Sequence, residues 1–185
     1  MVGADEKMTL PSWKAVKTTL QSFDRAGLLG LVQDLYALDS DNKAFLHPRL
    51  GLGSDGLAPY KATISRWICP DAVGSRSVSV AKAKKAIANY KKAIGAPDGL
   101  AELSIFYCEE AFNFLESCGF EDERYFVAPI AMYDQAVKRT LEMPIAQQPT
   151  YTERLGKLPS RGRPAGWGLG DEINRIWCEA GFEEY

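Results

Sequence analysis

Charged side chains dominate the chemistry this chain offers. Between Ala72 and Pro97 it carries six basic residues, Arg76, Lys82, Lys84, Lys85, Lys91 and Lys92, and no acidic one. Between Asp98 and Glu123 it carries eight acidic residues and no basic one. On a helix, Lys82, Lys85 and Lys92 share the face opposite Val80 and Ile87, with Lys84 and Lys91 at its borders. Such a ridge can contact phosphates or an acidic partner. It can equally be a solvated face, favoured by the acidic helix that follows. Tyr90, the one aromatic among these lysines, falls on the opposite stripe with Val80 and Ile87, which counts against single-strand binding. A second basic group, Arg154, Lys157, Arg161 and Arg163, falls in a proline- and glycine-bearing stretch, where arginines can order on a phosphate or an acidic surface.

Candidates for acid–base work are few. Glu110 is the carboxylate nearest an apolar helical stripe of Leu103, Tyr107 and Phe114, where burial can raise its pKa. His47, followed by Pro48 and Arg49, can join an anion site. Glu109 and Glu110 are adjacent and point about 100° apart on a helix, so they form no catalytic dyad. The chain has one histidine. Cys69, Cys108, Cys118 and Cys178 show no CxxC spacing, so no zinc site is expected. Four reduced, mostly buried thiols are expected instead. Phosphate-loop, dinucleotide-loop and GxSxG motifs are absent; the glycine-rich 166–171 segment reads as a turn holding Trp167. No catalytic residue, metal or cofactor is assigned.

The elements that must position these groups read as helices. Residues 1–10 are expected to be loose. Ser12 caps a short helix, Trp13–Phe23, and Asp24 caps Arg25–Leu38, whose stripe is Leu28, Leu31, Val32, Leu35 and Leu38. Gly27 and Gly30 lower its intrinsic propensity by about 1 kcal/mol each, so packing must hold it. Asp39–Asn42 turns the chain into a further helix that ends near Pro48. A helix from Ser54 or Asp55 runs to Cys69, with Pro59 in its first turns. After a loop over 71–77, Ser79 caps Val80–Ile94. Leu100–Cys118 presents three faces. Leu100, Leu103, Tyr107, Ala111 and Phe114 form an apolar stripe, and Ile105 and Phe112 form a second patch. Glu102, Glu109 and Glu116, seven residues apart, form a polar face with Asn113. A helix with two apolar faces needs neighbours on two sides. Gly119 suits its C-terminal cap. Glu121–Met143 follows, with Pro129 as a possible break. Residues 144–185 read as an irregular tail with a short terminal helix over 171–181.

The segment 28–50, LLGLVQDLYALDSDNKAFLHPRL, resembles the opening hairpin of an uncharacterised bacterial all-helical family, a domain of unknown function. The shared pattern falls on Leu31, Asp34, Leu35, Tyr36, Asn42, Lys43, Phe45 and Leu46. With YKATISRWICP at 60–70 the resemblance extends over about residues 10–143. It implies a small helical bacterial protein and brings no activity. Leucines and Phe45 are expected to pack, with Asp34, Tyr36, Asn42 and Lys43 as polar candidates for binding.

The length of 185 residues and an apolar share of 46% suit one domain with a sizeable core. The net charge of −2 gives no global field toward nucleic acid or anionic membrane. No run approaches the roughly 18 apolar residues that span a bilayer, and the N-terminus lacks a signal-peptide pattern. The resulting reading is an all-α cytoplasmic protein: a single helical domain over 11–143, about seven helices packed as αα-hairpins around 100–118. Its leading function is a non-enzymatic module that binds another protein. The alternative is a nucleic-acid-binding accessory protein using Lys82, Lys85, Lys92 and the Arg154–Arg163 group. The third is an enzyme using Glu110 or His47.

Overall fold

The computed structural model describes residues 11–52, 55–70, 77–118, 123–166 and 168–183. The expectations placed on residues 1–10, the Ser54 cap, the loop over 71–76 with Arg76, Gly119 and Trp167 lie outside the described residues. Among the described residues every regular element is helical. The chain divides into two compact units, Met1–Lys43 and Ala44–Tyr185.

The first unit contains α1 (Trp13–Leu20) and α2 (Arg25–Leu38), and the chain then enters α3 (Ser40–Arg49), within which the division falls. The two expected caps are in place. Ser12 accepts from the Ala15 N–H, and Asp24 accepts from the Gly27 N–H at 2.7 Å. At the other end of α2, the Asn42 amide donates to the Leu35 carbonyl at 2.6 Å, one of the four that a helix C-terminus leaves without a partner. No residue of α1 or α2 is buried. The α2 stripe, expected to pack, is instead exposed.

The second unit holds the core. Its helices are α4 (Ala58–Ile68), α5 (Val80–Ala93), α6 (Pro97–Cys118), α7 (Glu123–Leu141), α8 (Gln148–Gly156), α9 (Leu158–Gly162) and α10 (Leu169–Glu179). α6 packs against α4, α5, α7, α8 and α9. Both of its apolar faces are buried: Leu103, Tyr107, Ala111 and Phe114 on one, Ile105 and Phe112 on the other. Tyr60, Ile64 and Ile68 of α4, Phe126, Tyr133 and Val137 of α7, and Ile173 and Trp177 of α10 belong to the same core cluster.

The stretch over 145–166, read from sequence as irregular, is helical: two 3-10 turns, Ile145–Gln147 and Arg163–Ala165, flank α8 and α9. Its prolines explain how. Pro149, Pro159 and Pro164 stand at the first positions of their elements, where a missing N–H costs nothing. Leu155 and Leu158 then give the segment a buried side. α9 and α10 approach so closely that a Cβ on Gly170 would lie 2.6 Å from the Arg163 nitrogen, which accounts for glycine there. The proline-containing helices α3 and α7 also run on, through Pro48 to Arg49 and through Pro129 to Leu141. Pro48 has no N–H for the Ala44 carbonyl four residues earlier, and the Tyr60 hydroxyl donates to that carbonyl at 2.8 Å.

Other long side chains close helix ends in the same way. Tyr125 donates to the Ile68 carbonyl at the end of α4, Arg49 to Ala93 at the end of α5, and Tyr133 to Leu155 near the end of α8. Tyr107 is the exception. It is fully buried, and its hydroxyl has no hydrogen-bond partner among the described residues. Burial pushes that hydroxyl's pKa well up. Of the described cysteines, Cys108 is buried, Cys69 is half-buried and Cys178 is exposed, so the thiols are less sheltered than expected.

These contrasts predict opposite responses to one chemical change. Tyr60→Phe should lower stability by about 1–2 kcal/mol, because it strands the Ala44 carbonyl. Tyr107→Phe should raise stability by about 1 kcal/mol, because it removes an unsatisfied buried hydroxyl. Urea unfolding of the two variants against the parent chain measures both.

Candidate functional site

The acidic face of α6 is occupied from within. Arg154 of α8 donates through Nε and Nη2 to Glu109, at 2.8 and 2.7 Å, and through Nη1 to Glu102. Lys61 of α4 reaches the other Glu102 oxygen at 2.7 Å. One turn-pair further along, Arg161 of α9 grips Glu116 through Nε and Nη2, at 2.7 and 2.9 Å, and also donates to the Asn113 side-chain oxygen Oδ1 at 2.8 Å. The seven-residue spacing of the glutamates on α6 is thus matched by the seven residues from Arg154 to Arg161. Burial pushes the Glu102 carboxyl up, but the hydrogen bonds from Arg154 and Lys61 outweigh it and hold the pKa below the ordinary value. Arg161 does the same for Glu116.

This arrangement decides what the predicted basic groups can do. Arg154 and Arg161 are engaged by carboxylates, and Lys157 pairs with Glu153 at 2.8 Å. Arg163 is exposed. Among the described residues, Glu102, Glu109 and Glu116 of α6 pair with side chains of α4, α8 and α9. Lys82, Lys85 and Lys92 are exposed on α5. The structure adds an aromatic that the sequence reading missed. Lys82 Nζ sits 3.8 Å from the ring centre of half-buried Trp67, and the Arg66 guanidinium lies 5.3 Å from the same ring. Trp67 was hidden because it is on α4, 15 positions away from Lys82 in the chain.

The acid–base candidates stand on different helices. Glu110 accepts from the Asn113 side-chain amide at 3.0 Å on the surface of α6. His47 is half-buried on α3. A cavity of about 360 Å³ is lined by Asp98, Glu102, Gln147, Thr150 and Tyr151, and contains neither residue. Its Glu102 is already paired twice. No group of three or more metal-ligating side chains is close enough to hold an ion among the described residues. Of the polar candidates near the α2–α3 turn, Asn42 serves the end of α2, and Lys43 lies over the Tyr36 ring at 5.3 Å. Asp34 is exposed on α2.

What remains on the first unit is apolar. Leu28, Leu31, Val32 and Leu35 are each 37–46% exposed, and Leu38 is 78% exposed. Leu29, on the other side of α2, is 61% exposed. The chemistry available to this surface is burial against another apolar surface. A signal for it stood in the sequence: RAGLLGLVQDLYAL contains only two charged residues, Arg25 and Asp34, so it is apolar around most of its girth. No family model, curated protein or solved structure matches the chain.

The α6 clasp generates a prediction in both charge and pH. Arg154→Gln leaves two partly buried carboxylates short of a partner and should cost about 2–3 kcal/mol. Arg161→Ala, at a more exposed pair, should cost less than about 1 kcal/mol. Because Glu102 and Glu116 titrate below their ordinary value in the folded chain, their stabilisation is complete above the usual glutamate range. It is lost as pH falls through the depressed values. Urea midpoints measured on acidification should therefore decline in the parent and decline less in Arg154→Gln.

Proposed function

We propose that this protein is a non-enzymatic interaction module that binds protein through the apolar face of α2, with the α6-centred unit as its stable scaffold. The observation that carries this reading is the exposure of Leu28, Leu31, Val32, Leu35 and Leu38 on one helix. Exposed leucines grouped on one face are costly in water, and such patches mark sites that associate.

A second reading keeps nucleic acid in view, because Lys82 and Arg66 flank Trp67 and give the α5 lysines the aromatic companion that single-strand binding uses. It ranks lower because Arg154 and Arg161 are engaged with carboxylates.

Two measurements separate these readings. A photoreactive side chain at position 29 of α2 should cross-link to polypeptide in the cells that make the protein, and Leu31→Glu with Leu35→Glu should abolish those cross-links. Fluorescence anisotropy with labelled single-stranded RNA should show no saturable binding. Binding that weakens steeply with salt and disappears in Lys85→Glu with Lys92→Glu would put the second reading first.

A further inference from the structure

α2 has a stability problem that points to its cover. It is a helix of 14 residues with glycine at positions 27 and 30 and no buried residue. Isolated helices of about 12–15 residues are marginal in water even when rich in alanine, and each glycine weakens them further. Its exposed residues are also spaced for one kind of mate. Leu28, Leu31, Leu35 and Leu38 alternate three and four apart, the a and d positions of a two-helix seam, with Val32 on the flank.

We propose that α2 pairs antiparallel with α2 of a second copy of this chain, about a two-fold axis at the level of Gln33. This inference rests on the reading of α2 as an interaction surface and names its partner. In that register Leu28 meets Leu38 of the mate, and Leu31 meets Leu35. Charge selects both the partner and the direction. Residues 11–43 hold four basic and four acidic side chains, so two copies carry no net repulsion. Antiparallel pairing sets Arg25, at the start of one helix, level with Asp39 at the end of the other, twice. A parallel pair would instead stack Arg25 on Arg25 and the aspartates on their like. The helix dipoles also oppose one another in the antiparallel pair. The five exposed seam residues offer on the order of 400 Å² per copy, so a pair buries roughly 800 Å², short of the about 1,000 Å² of a stable interface. That area fits a reversible dimer. One contact is unfavourable: Asp34 falls beside Asp34 of the mate near the axis.

Sedimentation equilibrium of the full chain over two decades of concentration tests the pairing. The parent should show a monomer–dimer equilibrium. Leu31→Glu with Leu35→Glu should weaken it by at least about a hundredfold while the helical circular dichroism of the second unit and its unfolding midpoint are retained. Arg25→Glu should weaken association several-fold, and Asp34→Asn should strengthen it. A dimer unmoved by the double leucine substitution overturns the assignment to α2. A dimer that loses strength with the leucines but not with Arg25→Glu overturns the antiparallel register. A parent chain that stays monomeric overturns the pairing. Cross-links from α2 to a different polypeptide would then leave the interaction reading standing, and their absence would remove that reading as well.

Discussion

The guanidinium of Arg154 lies between Glu102 and Glu109 on α6, and its planar fork meets both carboxylates at once. That geometry sets the position of α8 against the helix that α4, α5, α7 and α9 also touch. Lys61 closes the other side of Glu102, so one carboxylate holds two helices to α6. Each charge here is partly withdrawn from water, which makes an unpaired partner expensive. The cost favours one register for α8: sliding it by a single residue along α6 would pull Arg154 away from both of its carboxylates.

Helix ends are the second constraint. A bundle of helices exposes free carbonyls at every C-terminus, and those inside a packed unit must find donors. Here tyrosines and an arginine act as bolts: Tyr125 into the end of α4, Arg49 into the end of α5, Tyr133 into the end of α8. Tyr60 repairs the gap that Pro48 opens inside α3. Aromatic bodies fill the core while their hydroxyls serve the backbone, so one residue type supplies both apolar area and polar satisfaction.

The two units contrast in how they meet these demands. The second pairs the α6 carboxylates and several of its helix ends internally and buries both apolar faces of α6. The first caps its helices locally, with Ser12, Asp24 and Asn42, yet buries none of its leucines. Its apolar side chains stay open to water while these caps serve part of its backbone.

Much of the local structure was legible in the sequence, because capping and periodicity act over a few residues. The Ser12, Asp24 and Ser79 caps, the start of α5 at Val80 and the two buried faces of α6 follow from residue types and spacing alone. The prolines of 144–164 read as breakers because their harmless position at helix starts depends on where each helix begins, which packing fixes. Partner choice was also out of reach. Glu102, Glu109 and Glu116 announced a face, but the 45 residues between Glu109 and Arg154 hid what would cover it. Trp67 beneath Lys82 was concealed by the same kind of separation. The α2 stripe shows the limit most sharply: spacing establishes that Leu28, Leu31, Leu35 and Leu38 share a face, but the same spacing serves a core and a docking surface equally. Only the tertiary structure, in which those leucines are exposed, shows that this face does not belong to the core.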